Sequence, residues 1–280
     1  MTPISVCFTT WCHDRGFTPF PALPQTVSVF LSWSASQGAA VATTERRTAA
    51  LRYGHQMAGY ESPTHSEVVK ATLKGIRRAL GVAPIQKVAV TVDRLQGLLK
   101  HVPDTLQGKR DKAILLLGFA GAFRRSELVA LTVTDLIETD QGVRVLIRKS
   151  KTDQEGQGQE IALYQGKLRV VDAITEWREA ANIQDGFLFR PLKKGGKVLD
   201  QPLAAESVAD IVKKYAGIAG FVPHEYAGHS LRAGFLTSAA ENGASLFKMM
   251  EVSRHKSVDT LKGYIRRADL FKDHAGKAFL

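Results

Sequence analysis

The sequence predicts a two-domain, mainly α protein with one small antiparallel β-sheet, and three observations lead there. Apolar residues recur at helical spacing through most of the 280 residues. Alternation suited to strands is confined to GVRVLIR (Gly142–Arg148) and QEIAL (Gln159–Leu163), which a Gly- and Gln-rich loop joins as a hairpin. Helical periodicity also breaks once, over Gly81–Thr91 (GVAPIQKVAVT), where Gly81 ends a helix and Pro84 discourages its continuation.

Before that break, a first helix is expected near Val6–Arg15, then Pro24–Gln37, Ala42–Tyr60 and His65–Leu80. Thr43 or Thr44 ahead of Glu45–Arg47 reads as a helix start, and Ser62-Pro63-Thr64 as a turn and cap. After it, Asp93–His101, Asp111–Ala122 and Arg125–Leu131 read as helices, then the hairpin. Helices return at Lys167–Ala181, Ala204–Ala219, His229–Asn242, Ser245–Val252 and Ser257–Arg266. The expected organisation is a helical domain over residues 1–83, a linker over 84–91 and a second domain over 92–280.

Composition narrows the function. With 44% hydrophobic and 23% charged residues the chain can bury a core, which excludes wholesale disorder. Two cysteines, Cys7 and Cys12, make no disulfide framework, and no Cys/His cluster has zinc-finger spacing. No apolar run reaches membrane-spanning length, and no basic-then-apolar leader opens the chain, so a cytoplasmic protein is expected. Thirty-eight Lys and Arg against 27 Asp and Glu give a net charge of +11, of which +5 falls before Val88. Such an excess attracts polyanions, because neutralising phosphates releases condensed counterions.

Four segments carry candidate chemistry. In GAFRRSELVAL (Gly121–Leu131), arginines at a helix start can aim guanidinium groups at a phosphate, or pair on the surface with Glu127. At the hairpin tip, KSKTD (Lys149–Asp153) offers a lysine able to reach a ligand, or a solvated charge run. In GHSLR (Gly228–Arg232), His229 and Arg232 are three apart and share a helix face, which suits a phosphoryl oxygen as well as a structural histidine. In SRHKSVDTLKGY (Ser253–Tyr264), Ser257 and Asp259 suit a helix start, and Tyr264 sits about two turns on. A helix tyrosine is ordinarily packing; among cations it can be a nucleophile, because positive charge favours the phenolate.

Taken together, Arg124, Lys151, His229–x–x–Arg232, His255 and Tyr264 form a series, with His255 lying 23 residues after Arg232 and Tyr264 nine further on. In order and in these spacings the set resembles the catalytic set of the tyrosine recombinases, also called phage integrases. The flanking FRRSELVAL, SKTD, GHSLR and RHKSVDTLKGY agree, over roughly residues 90–273. The resemblance implies a helical core-binding domain followed by a tyrosine-recombinase catalytic domain. It implies a site-specific recombinase that needs neither metal nor ATP, so no cofactor is expected.

The resemblance also implies roles. Tyr264 attacks the scissile phosphodiester, giving a 3′-phosphotyrosyl link and a 5′-hydroxyl. Arg124 and Arg232 clamp the non-bridging oxygens, and His255 adds a donor. Lys151 protonates the leaving oxygen, His229 accepts the tyrosine proton or tunes its neighbours, and Glu127 positions the active-site side chains. Implied partners are double-stranded recombination sites, further copies of the chain in a DNA-bound tetramer, and an accessory directionality factor. The apolar residues Leu270, Phe271, Phe279 and Leu280 are expected to dock on a neighbouring subunit.

Departures from the family pattern are specific. Arg254 stands where the family often has glycine, and it reads either as a phosphate contact or as a solvated side chain. Arg125 and Lys149 compete by position with Arg124 and Lys151. The first helix begins almost at Met1, so the family's opening helix is either trimmed or the domain is a compact version. Arg46, Arg47, Arg52, Lys70, Lys74, Arg77 and Arg78 are candidate DNA contacts of the helical domain, mostly to phosphate. Two alternative readings stand beside it: a catalytically silent DNA-binding relative with the same fold, and DNA relaxation of the type IB topoisomerase kind, which shares the arginine, lysine and tyrosine chemistry.

Overall fold

The computed structural model describes residues 3–81, 87–148 and 158–268, with side chains between Val6 and Ile265. Lys149 and Lys151, Pro84, and the apolar tail residues Leu270, Phe271, Phe279 and Leu280 lie outside them. The chain is mainly helical with one three-stranded antiparallel sheet, and it divides into two compact units, Met1–Ile85 and Gln86–Leu280.

The first unit packs α1 (Pro3–His13), α2 (Pro24–Ser36), α3 (Val41–Met57) and α4 (Glu67–Leu80). Pro24 opens α2, where its missing N–H is no loss, and Gly81, at φ +73°, ends α4. The core is aromatic: Phe8 and Trp11 meet Phe30 edge-on at 5.0 and 5.3 Å, with Leu31, Leu51 and Val69 fully buried beside them. His55 is also buried. Its Nδ1–H donates to the Leu51 carbonyl at 2.8 Å and its Nε2 accepts the Ala22 N–H at 3.0 Å, so both ring nitrogens have partners.

The second unit is organised around α6 (Leu106–Ala120), whose residues 113–119 are all buried. A helix apolar on every side belongs at the centre of a core. It is enclosed by α5 (Val92–Leu99), α7 (Arg125–Ala130), α8 (Val170–Ala180), α9 (Ala205–Ile218) and α10 (His229–Glu241). Beyond these, α11 (Leu246–Ser253) and α12 (Val258–Ala268) pack on α10 through Leu236, Met249 and Leu261.

In the second unit three elements differ from expectation. Helix α6 starts at Leu106 rather than Asp111, because the Thr105 hydroxyl accepts the Gly108 N–H at 3.1 Å and caps a polar first turn. Helix α8 starts at Val170 rather than Lys167, since Arg169 is left-handed at φ +51°. A strand the sequence reading lacked, β1 (Leu136–Thr139), joins the sheet beside β2 (Gly142–Ile147) and β3 (Gln159–Tyr164), in the order β1-β2-β3. Val145 faces Leu136 on one side and Ile161 on the other, and Val143, Val145, Ile147, Ile161 and Leu163 enter the core. At the end of β2, Arg148 is held by buried Asp135 at 2.6 Å, which fixes the base of the hairpin that leads to Lys149.

The stretch read as a linker, residues 84–91, is built into the second unit over its described part. The Val88 N–H donates to the Glu225 carbonyl at 2.8 Å and the Val90 N–H to Ser230 at 2.9 Å. Val90 is fully buried. Its backbone lies directly on α10 at Gly234, where a β-carbon would sit 1.7 Å from the Val90 oxygen.

Candidate active site

Three segments of the second unit converge. The first is the turn between α6 and α7. Ala122, at φ +44°, is left-handed although it carries a β-carbon, and the carbonyls of Gly121 and Ala122 both accept from buried arginines. Arg124 then caps α7. Glu127, one turn in, accepts the Arg124 backbone N–H at 3.0 Å and its guanidinium at 2.5 Å. Arg124 keeps partial exposure while Glu127 is buried, so the carboxylate fixes the base of a guanidinium that still reaches solvent.

The second segment is α10. Ser230 closes its first turn, accepting the Ala227 N–H at 3.0 Å. Arg232, 1% exposed, donates Nη1–H to the Ala122 carbonyl at 2.6 Å and places Nη2 3.1 Å from His255 Nε2. His229, three residues before it on the same face, is exposed as a residue.

The third segment runs from the end of α11 into α12. The Ser253 hydroxyl donates to the Met249 carbonyl at 2.5 Å, so at 2.8 Å from His255 it must accept from Nδ1–H. That assigns the His255 tautomer: the proton sits on Nδ1 and Nε2 is the unprotonated nitrogen, with Arg232 Nη2 lying 3.1 Å from Nε2 and 3.2 Å from Nδ1. Tyr264, half-buried on α12, rests its ring against the Leu236–Met249–Leu261 cluster and lies within electrostatic reach of Arg232.

These groups share one field. Burial, with the charges of Arg124 and Arg254, pushes Arg232 down to about 9, which leaves it a cation at neutral pH. Burial, followed by Arg232, Arg124, His229 and Arg254, pushes His255 down to about 4. His229 is lowered too, by burial first and then by Arg232 and Arg124, although the residue as a whole is exposed. Burial alone would raise Glu127, but Arg254 and its bonds to Arg124 hold it below the usual carboxylate range. At neutral pH the cluster therefore carries three guanidinium groups, one carboxylate and two neutral imidazoles. Such a cluster favours an oxyanion. Among the described residues no three His, Cys, Asp or Glu side chains are grouped to hold a metal ion.

Arg124, Glu127, His229, Arg232, His255 and Tyr264 are thus brought together from positions up to 140 residues apart. Arg125 is not among them: it is exposed on α7, 3.6 Å from Glu206. Arg254 corrects both readings made from sequence, since it is neither a phosphate contact nor solvated. It is 4% exposed, at φ +57°, and its guanidinium turns inward to the Gly121 and Ala122 carbonyls and Glu127. Ser253 was missed altogether; a serine two residues before the histidine was the available signal.

In the first unit the basic residues are unevenly committed. Arg47 lies over the Phe30 ring and bonds Ser34, and Arg52 reaches Thr64 at 3.4 Å. Lys70 pairs with Glu67 and Arg77 with Glu45, each at 2.8 Å. Arg46, Lys74 and Arg78 are exposed. Lys70, Lys74 and Arg77 recur four and then three residues apart, one stripe of α4.

Comparison with known proteins bears on this site. A sequence profile of the phage integrase family matches residues 89–270. The chain is 39% identical over 276 residues to an integrase/recombinase XerD homolog of Selenomonas ruminantium, spanning 96% of this chain and 80% of that protein. It is 25% identical over 286 residues to the Cre recombinase of Escherichia phage P1, spanning 95% and 83%. In fold it is similar to the XerH site-specific recombinase bound to a difH substrate, with a TM-score of 0.66 at 18% identity, covering 91% of this chain and 71% of that one. A lambda integrase dimer bound to a core site gives 0.62 at 15% identity, covering 95% and 72%. Among the described residues no helix is long and apolar enough to cross a membrane.

Proposed function

The chain belongs to the phage integrase family and is a site-specific tyrosine recombinase; from that premise we propose that it cuts and rejoins double-stranded DNA through Tyr264. Substrate is a phosphodiester within a recombination site. Residues 1–83 act as the core-binding domain, whose α3 and α4 carry the basic residues available to backbone phosphates, and the second unit is the catalytic domain. Assembly on DNA is a tetramer, served by an accessory directionality factor, in the cytoplasm where bacterial relatives find their DNA.

The observation that carries this reading is the cluster of Arg124 and Arg232 beside His255 and Tyr264. Guanidinium groups fixed at their bases by Glu127 and by the Ala122 carbonyl are pre-oriented, so little reorganisation is needed as charge gathers on the non-bridging oxygens. The Tyr264 phenol oxygen attacks phosphorus, and the bond to the 5′-oxygen breaks. His229, held neutral by its surroundings, can take the phenolic proton. Lys151 delivers a proton to the departing 5′-oxygen. The 3′-phosphotyrosyl ester conserves the energy of the broken bond, so the partner strand's 5′-hydroxyl reverses the step without a nucleotide cofactor.

His255 needs one adjustment to donate to phosphate. With the ring proton on Nδ1, Nε2 must first gain a proton, and the arriving negative charge provides for that by raising the ring's pKa from about 4. The test is a nicked duplex carrying the repeats that flank the encoding gene. The native protein should form a covalent adduct on it. Tyr264→Phe should shift the duplex on a gel and form none; adduct formation by that variant places the nucleophile elsewhere.

A further inference from the structure

We infer that Arg254 is a positioning residue for strand cleavage: its guanidinium fork joins the carboxylate that orients Arg124 to the carbonyl that orients Arg232, and so sets the spacing of the two phosphate-binding groups. The inference rests on the recombinase reading above, and it concerns a side chain at a position where the family often has glycine.

The bonding pattern is what assigns the role. Arg254 donates Nη2–H to Glu127 Oε2 at 2.9 Å and to the Ala122 carbonyl at 3.0 Å. Glu127 is the residue that bonds Arg124 by both backbone and side chain, and Ala122 O is the acceptor of Arg232 Nη1 at 2.6 Å. Each catalytic arginine therefore shares its anchor with Arg254, and the three guanidinium groups are tied in a single chain of hydrogen bonds. Nη1 secures the same turn from its other side, reaching the Gly121 carbonyl at 2.9 Å and Val252 at 2.5 Å. The fork lies 5.0 Å over the Phe123 ring.

The cost of the arrangement argues that stability alone does not explain it. Arg254 occupies the left-handed region at φ +57°, where a residue with a β-carbon is strained and glycine is not. Its side chain is 1% exposed, so a cation has been taken out of water. Its Nε–H is buried with no hydrogen-bond partner among the described residues. A glycine would remove all three penalties. What glycine cannot do is hold Glu127 and the Ala122 carbonyl at a fixed separation. Lysine cannot either: both contacts come from Nη2, and a single ammonium has no second nitrogen bound to the Gly121 and Val252 carbonyls to hold it in that place.

The test compares native protein, Arg254→Gly and Arg254→Lys in the full chain, on the nicked duplex described above. Three quantities are read: the melting temperature, the dissociation constant by gel shift, and the single-turnover rate of adduct formation at saturating protein. The expected result is an adduct rate at least tenfold lower in both variants, with the dissociation constant within threefold of native and melting within a few degrees. An unchanged rate in Arg254→Gly overturns the inference. A rate loss matched by equal loss of affinity or of melting temperature also overturns it, since Arg254 then only supports the fold. Full rescue by Arg254→Lys overturns it as well, because charge without the fork would suffice. If Arg254→Gly does not fold, Arg254→Lys alone decides by the same criteria. A native protein that forms no adduct would instead count against the recombinase reading.

Discussion

Gly234→Ala is the substitution whose effect can be worked most directly from the structure. The new methyl would stand 1.7 Å from the Val90 carbonyl oxygen and 2.3 Å from its carbon, where ordinary contacts need about 3.4 Å, so the backbone of Val88–Thr91 must lift by more than an ångström. Two hydrogen bonds flank the contact, from Val90 N–H to Ser230 O and from Val92 N–H to Ser238 Oγ, each 2.9 Å. Losing both costs about 2 kcal/mol, and partial exposure of Val90 about 1 kcal/mol more. Ala improves the helix by about 1 kcal/mol. The net loss is about 2 kcal/mol, or a melting temperature lower by about 4–8 °C for a unit of this size. Differential scanning calorimetry of the intact chain reads this directly. A transition unchanged within 2 °C, or raised, refutes the claim that this segment is seated on α10.

Three further predictions follow from the charge cluster. Acidification should destabilise the second unit between pH 6.5 and 4: His255 is neutral there until about 4, whereas the unfolded ring protonates near its ordinary 6.5, so the unfolded state binds the extra proton. After discounting for solvent screening the loss is about 1–2 kcal/mol, and urea midpoints that do not fall from pH 7 to pH 4.5 would contradict it. Duplex binding should take up a proton as His255 gains its Nε2–H, so affinity rises as pH falls from 7.5 to 6; titration calorimetry in buffers of different ionisation enthalpy would expose a binding step with no uptake. Glu127→Gln should cost about 3 kcal/mol in urea unfolding, because Arg254 is left buried without its anion, and it should slow adduct formation; native stability in that variant would remove Glu127 from the anchoring role.

Much of this was legible in the sequence because the information was local. A helix shows in apolar spacing, and His229 and Arg232 announce a shared face by lying three apart. Strand β1 did not show, since in LIET every residue stays at least partly exposed and no alternation results. The first turn of α6, LQGKRD, is polar, and only the Thr105 cap marks it. Arg254 was misread for a deeper reason: a non-glycine residue adopts φ +57° only when its surroundings impose it, and those surroundings are carbonyls some 130 residues earlier. Ser253 fixes a tautomer through a hydrogen-bond relay that exists only after α11 is folded.

The seating of Val88–Thr91 has a mechanical consequence. Tension arriving along the chain from upstream meets no slack at this entry point: it passes through the 223–225 turn at Glu225 and into α10 at Ser230, Gly234 and Ser238. Arg232 rides on that helix between the first two of those α10 anchorage points. A displacement of the incoming strand therefore reaches Arg232 within one turn of α10.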